Sequence, residues 1–124
     1  MEAKLSNINL PVNNPGKIKD FYMQAFDLKE IEFASEPPGF FMLNANGCTI
    51  TIQDAEAIGQ STGTVGVELG FEVEEVSSYI GRIKKAGGGI LKEEQQMSWG
   101  QAFTAADPEG HVINVFKFTR GTGK

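Results

Sequence analysis

The chain contains an internal repeat. Residues Ser6–Val12 alternate polar and apolar side chains, and Val67–Val73 do the same 61 residues later. Alternation with a period of two predicts a half-buried β-strand. Each predicted strand is followed by a helical pattern, and each half ends in a predicted hairpin with its turn at residues 44–47 or 107–110. The repeat therefore restricts the chain to folds that contain two similar supersecondary units.

Both predicted helices carry one apolar face. In the first half, Asn14 can cap a helix that has Pro15 at its first position. In the second half, Gly87–Gly89 is expected to end the helix. The apolar residues recur at i, i+3, i+4 and i+7, as Ile18, Phe21, Tyr22 and Ala25 in one helix and Val76, Tyr79, Ile80 and Ile83 in the other.

Three further strands are predicted in each half. They lie at 29–34, 39–43 and 48–53, and at 89–93, 101–105 and 112–118. The chain is therefore predicted to form two β-α-β-β-β units, at about residues 5–54 and 65–118, with a connector at 55–64. Because each half is too small to bury its helix-facing strands well, we expect one domain over residues 1–124, or an exchange of units between two chains.

Composition excludes several classes of function. The net charge of −5 argues against a nucleic-acid-binding surface. The sequence has no apolar run long enough to span a membrane and no signal-peptide pattern at its N-terminus, so we expect a cytoplasmic protein with no membrane partner. The single cysteine, Cys48, cannot form an intramolecular disulfide. The single histidine, His111, limits metal and acid–base chemistry.

Two motifs, in this order and spacing, resemble the vicinal oxygen chelate superfamily of glyoxalase I, bleomycin-resistance proteins and extradiol dioxygenases. They are Asn7-Ile8-Asn9-Leu10-Pro11-Val12-Asn13-Asn14-Pro15 leading to Phe21-Tyr22, and Asp107-Pro108-Glu109-Gly110-His111-Val112-Ile113-Asn114-Val115. The resemblance implies an α+β fold in which the two units form a curved, mixed eight-stranded sheet. It places a cavity on the concave face and helices on the convex face. It also implies a homodimer.

Metal ligands in that superfamily occupy the first and last strands of each unit. The resemblance maps these positions onto Asn7, Thr51, Glu68 and Asn114. Only Glu68 is a strong ligand for a hard metal, whereas catalytic sites usually supply at least three. We therefore expect no metal cofactor, with weak divalent binding as the remaining possibility. His111 follows a turn glycine, and strand parity points it away from Asn114; it is expected to be a turn residue, with a general base as the alternative.

Glu68 is the candidate acid, base or hydrogen-bond acceptor. Strand parity places Asn7 and Asn9 on the cavity side of the first unit and Glu68 on that side of the second. The alternative is a solvated carboxylate, or one that is hydrogen-bonded to Asn7 or Asn114.

Aromatic residues outside the helical stripes are the candidate ligand contacts. Trp99 lies in a predicted loop and Phe103 on a predicted strand, and both are expected at the cavity. Aromatic walls are typical of sites for planar or cationic molecules. The alternative is that these rings belong to the sheet core or to a dimer interface.

The sequence thus predicts a metal-free protein that binds a small apolar or aromatic molecule. The acidic balance favours a cationic ligand. The predicted contacts are Asn7, Asn9, Thr51, Glu68, Trp99, Phe103 and Asn114. The alternative is a lyase, isomerase or dioxygenase that uses Glu68, with or without a weakly bound metal; a protein-interaction module is a third reading.

Overall fold

The computed structural model describes residues 2–60 and 67–119. The chain divides into two compact units, residues 1–63 and 64–124. Within the described residues, no helix combines the length and the apolar character needed to cross a bilayer. The prediction that both units form one domain stays a prediction.

The first unit is a four-stranded mixed sheet with one long helix. Its strands have the order β1-β4-β3-β2; β1 runs parallel to β4, and the other pairs are antiparallel. The elements are β1 (Asn7–Val12), α1 (Pro15–Phe26), β2 (Lys29–Glu30), β3 (Phe40–Asn44), β4 (Thr49–Asp54) and a short α2 (Ala55–Ile58).

Helix α1 forms as its sequence predicts. The Asn14 side chain accepts a hydrogen bond from the Lys17 backbone N–H at 3.2 Å, and Pro15 needs no partner at the first helical position. The helix ends at Phe26, where Asp27 adopts a left-handed conformation. Its apolar stripe is buried, which fixes the helix against the sheet.

Two boundaries in this unit differ from the prediction. The strand expected at 29–34 is only two residues long, because Ile31 makes the last cross-strand bond, to Met42, and the chain then curls into a 3₁₀ turn at Glu32–Ala34. The connector expected at 55–64 begins with α2, which Asp54 caps through the Glu56 N–H. The rest of that connector, from residue 61, lies outside the described residues.

The second unit repeats the topology of the first. Its strands have the order β5-β8-β7-β6, with β5 parallel to β8 and the other pairs antiparallel. The elements are β5 (Leu69–Glu72), α3 (Ser78–Lys85), β6 (Gly89–Gln96), β7 (Gly100–Ala106) and β8 (Val112–Phe118). An α+β chain with two β-α-β-β-β units is therefore confirmed.

The core of the second unit lies on one face of its sheet. Phe103, Ala105, Ile113 and Val115 alternate along β7 and β8 and are each at most 1% exposed. Ile83 of α3 is fully buried as well. The backbone N–H of Gly88 closes the helix by donating to the Ile83 carbonyl at 2.9 Å, as the glycine run predicts. The residues between these core positions therefore project from the other face.

Candidate functional site

A groove of about 590 Å³ lies on that other face of the second unit. Ala102 and Thr104 of β7 and Asn114 and Phe116 of β8 line it. They are cross-strand partners, Ala102 with Phe116 and Thr104 with Asn114. The alternation that buries the core thus builds the groove from the intervening residues.

Three aromatic rings form one wall of the groove, which we call the aromatic wall: Trp99, Phe116 and Phe118. Trp99 meets Phe118 at 5.7 Å between ring centroids and Phe116 at 6.3 Å, and both pairs are edge-to-face. Trp99 is 38% exposed and Phe118 is 40% exposed. Edge-to-face packing holds the rings in place while part of their surface stays open to a ligand.

The loop that carries Trp99 is fixed by backbone contacts. The Met97 N–H donates to the Gly100 carbonyl at 2.6 Å, and the Thr119 N–H donates to the Trp99 carbonyl at 2.9 Å. A Cβ at Gly100 would lie 1.8 Å from the backbone oxygen of Lys117. Only glycine permits this close approach, so the position of Trp99 depends on Gly100.

A second glycine leaves room beside the aromatic wall. Gly70 of β5 lines the groove, and a Cβ there would lie 3.2 Å from the ring of Phe116. A side chain at this position would therefore press on Phe116 or occupy part of the groove.

The polar part of the groove is a chain of hydrogen bonds. The Thr104 hydroxyl donates to Asn114 Oδ1 at 2.9 Å, and Asn114 Nδ2 donates to Glu68 Oε1. Both ends of the Asn114 amide therefore have a partner. Glu68 is exposed and precedes β5 instead of lying within it, because the strand starts at Leu69 and not at Val67. Glu68 is thus an exposed carboxylate that is hydrogen-bonded to Asn114, one of the two partners named as alternatives in the sequence analysis.

Three other predicted contacts, Asn7, Asn9 and Thr51, lie in the first unit. Asn7 Oδ1 accepts from the Thr49 hydroxyl at 2.6 Å, and Asn9 Oδ1 accepts from the Thr51 hydroxyl at 2.6 Å. Asn7 Nδ2 also donates to Thr51 Oγ1 at 3.4 Å. These side chains form a polar ladder across β1 and β4, where Asn7 faces Thr49 and Asn9 faces Thr51.

Phe103 is placed differently from Trp99. Its side chain is 1% exposed, and strand alternation groups it with Ala105 and Val115 in the core, although it borders the groove.

His111 is fully buried and bonds through Nδ1 to Asp107 Oδ2 at 2.6 Å. Asp107 Oδ1 also accepts from the His111 backbone N–H at 3.1 Å. The pair closes the turn between β7 and β8 and lies outside the groove lining.

The donor set does not fit a catalytic divalent metal. Among residues 2–60 and 67–119, no three His, Cys, Asp or Glu side chains come together in a group that could hold one. The amide oxygens at the positions expected for ligands are engaged, Asn114 by Thr104 and Asn7 by Thr49. A metal would have to displace these hydrogen bonds and would gain few strong ligands.

The periodicity of the sequence did not identify the polar residues of β6 as part of the groove. Strand β6 advances five residues from Ile90 to Gln95, while its partner β7 advances three, from Ala105 to Ala102. Two register shifts, typical of β-bulges, separate Ile90 from Lys92 and Lys92 from Gln95. As a result Lys92 and Gln95 both oppose groove-facing residues, although strict alternation would put them on opposite faces. Lys92, Glu93 and Gln95 all line the groove.

Comparisons with known proteins agree with this architecture. A family model described as Glyoxalase/Bleomycin resistance protein/Dioxygenase superfamily matches residues 4–115. The chain is 27% identical over 115 residues to an uncharacterised protein of Mycobacterium bovis. The aligned region covers 83% of this chain and 76% of that protein.

Solved structures share the fold. A glyoxalase/bleomycin resistance protein/dioxygenase family enzyme from Burkholderia phytofirmans matches with a TM-score of 0.84 and 23% identity, over 94% of this chain and 99% of that one. A glyoxalase-related enzyme from Fulvimarina pelagi matches with a TM-score of 0.79 and 19% identity, over 94% and 88% of the two chains. Because the family model covers nearly the whole sequence, the chain belongs to the Glyoxalase/Bleomycin resistance protein/Dioxygenase superfamily.

Proposed function

We propose that this protein binds a small aromatic molecule in the groove of its second unit, and that it does so without a metal. The observation that carries the proposal is the aromatic wall, whose partly exposed rings make much of the groove surface apolar. Apolar clefts with a few placed polar groups are the usual sites for small molecules. A planar ligand would stack on or beside Trp99 and displace water from the rings.

The hydrogen-bonded chain supplies the polar contact. Thr104 donates to Asn114 and Asn114 donates to Glu68, so the Glu68 carboxylate is tied to the edge of the groove through Asn114. A carboxylate has several lone pairs, and Asn114 engages one oxygen. Glu68 would accept a hydrogen bond from a donor or cationic group on the ligand.

Trp99 provides a direct assay, because it is the single tryptophan of the chain. We expect the neutral probe N-phenyl-1-naphthylamine to change Trp99 emission in a saturable way, with calorimetry as an independent measure of binding. Gly70→Val, which adds bulk beside Phe116, should weaken binding at least tenfold. Ala102→Leu, on β7 opposite Phe116, should have the same direction of effect.

Gly89→Val is the matched control. Gly89 lies at the start of β6, and a Cβ there meets no atom within 4 Å. It should leave probe binding unchanged. Circular dichroism verifies that each variant is folded. If the wild type gives no saturable change, or if Gly70→Val and Ala102→Leu bind as the wild type does, the groove is not the site and the proposal is wrong.

The metal-free part has its own test. Addition of Ni²⁺, Zn²⁺, Mn²⁺ or Fe²⁺ should leave the melting temperature unchanged. A stabilisation of several degrees that disappears in Glu68→Ala would overturn the metal-free proposal. Turnover of the methylglyoxal–glutathione adduct above background would establish glyoxalase chemistry in its place.

A further inference from the structure

The two bulges of β6 give the groove a cation that strand alternation alone does not explain. Lys92 pairs with Thr104, and Gln95 pairs with Ala102. Both β7 residues face the groove, so the bulged strand turns Lys92 toward it as well. Bulges commonly redirect a side chain next to a functional site.

Lys92 forms no ion pair within residues 2–60 and 67–119. No described acidic oxygen lies within 4.0 Å of its ammonium group, and that group donates no hydrogen bond to another described residue. The adjacent Glu93 also lines the groove, but its carboxylate oxygens lie more than 4.0 Å from the Lys92 ammonium group. Lys92 therefore keeps its charge available for a ligand.

Glu68 is well separated from Lys92. Glu68 lies just before β5, at one edge of the sheet, and Lys92 lies on β6, at the other edge, with β8 and β7 between. Three strand spacings amount to about 14 Å. An anionic group on Lys92 would thus be remote from the Glu68 carboxylate.

The distance to the aromatic wall sets the size of the ligand. Trp99 adjoins Gly100 at the start of β7, and Lys92 pairs with Thr104, four residues further along that strand. Four residues of strand span about 13 Å. This is the length over which an aromatic ring system and its anionic group would fit.

We infer that the ligand of this groove is an aromatic acid, whose rings contact the aromatic wall and whose anionic group is bound by Lys92. This inference rests on the function proposed above and adds the charge of the ligand to it. Lys92 acts as the specificity-determining residue, since an anion on an apolar frame would otherwise find mainly rings, neutral polar groups and carboxylates in the lining.

A matched pair of probes tests the inference. The dye 8-anilinonaphthalene-1-sulfonate differs from N-phenyl-1-naphthylamine by its sulfonate group. At low ionic strength, the wild type should bind the sulfonate about fivefold more tightly than the neutral probe, as expected for one partly exposed ion pair. Lys92→Gln should abolish that preference and leave the affinity for the neutral probe unchanged. Added salt should reduce the preference in the wild type.

Two variants serve as controls. Lys85→Gln removes the same charge at the exposed end of α3 and should leave the preference intact. Glu93→Gln removes a carboxylate next to Lys92 and should increase it.

The outcomes separate the two proposals. If neither probe binds saturably at Trp99, the proposed function fails, and this inference fails with it. If both probes bind but Lys92→Gln keeps the preference for the sulfonate, or if the wild type has no such preference, only the assignment of an aromatic acid is overturned.

Discussion

Gly100→Ala provides the sharpest test of how the groove is built. A methyl group at this position would lie 1.8 Å from the Lys117 carbonyl oxygen and 2.9 Å from its carbon. These are backbone atoms of the neighbouring strand, so no side-chain rotation relieves the contact. The oxygen has to move by more than an ångström to reach even the tightest contacts, near 3.0 Å, that a Cβ tolerates.

The size of the effect follows from the bonds that such a shift would break. The bond from the Met97 N–H to the Gly100 carbonyl, at 2.6 Å, closes the turn between β6 and β7, and the bond from the Thr119 N–H to the Trp99 carbonyl, at 2.9 Å, ties that turn to the end of β8. Loss of two backbone hydrogen bonds costs about 2 kcal/mol. Alanine restricts the unfolded chain and recovers about 0.5–1 kcal/mol. We therefore expect a net destabilisation of about 1–1.5 kcal/mol.

The measurement is the urea midpoint of unfolding, followed by far-ultraviolet circular dichroism. Gly81→Ala is the matched control, because Gly81 lies inside α3 and a Cβ there meets nothing within 4 Å. Alanine at an exposed helix interior is expected to stabilise by about 1 kcal/mol. The same substitution should thus change stability in opposite directions at the two sites.

Trp99 emission gives a second readout for Gly100→Ala. If the loop moves, the maximum should shift to longer wavelength as the indole leaves Phe116 and Phe118. A Gly100→Ala protein that is as stable as the wild type, with unchanged emission, would refute the close approach of β7 and β8 and the inference that Gly100 positions Trp99.

Other predictions concern the turns and surface. Asp107→Ala leaves the buried His111 ring without its carboxylate partner and should destabilise the protein by about 2–4 kcal/mol. Asp107→Asn can still accept a hydrogen bond and should destabilise the protein less. Thermal unfolding of both variants checks this order. Asn14→Ala removes the cap on the Lys17 N–H and should lower stability by about 1 kcal/mol in urea, with rescue by Asn14→Ser. Phe33→Ser, at a side chain that is 95% exposed, should change the urea midpoint by no more than about 0.5 kcal/mol; a larger loss would show that the ring is buried in solution.

Much of the fold could be predicted because its signals are local. The period of two places β8 at Val112–Phe118, and the cap at Asn14 with Pro15 starts α1. The strand predicted at 29–34 starts where predicted but ends too late in the prediction, because no residue pattern in that run indicates that a 3₁₀ turn follows Ile31. The homodimer expected from the family resemblance stays a prediction.

The groove was only partly predictable. Alternation and the position of its loop pointed to Asn114 and Trp99, and both line the groove. The same reasoning put Phe103 at the cavity, and Phe103 also borders the groove, although its side chain is buried on the core face. The residues of β6 could not be assigned from the sequence, because the bulges depend on the pairing with β7 and the segment has no clear alternation of its own.

By itself, the sequence determined the repeat and most of the helices and strands, because these depend on spacing along one strand or helix, and the family resemblance identified the residues at the superfamily's metal-ligand positions. Only the tertiary structure decided which side chains share the groove. The register between β6 and β7 sets the face on which Lys92 lies, and the approach of Lys117 to Gly100 sets the position of Trp99. Both are contacts between separate strands, and residue order alone does not specify such contacts.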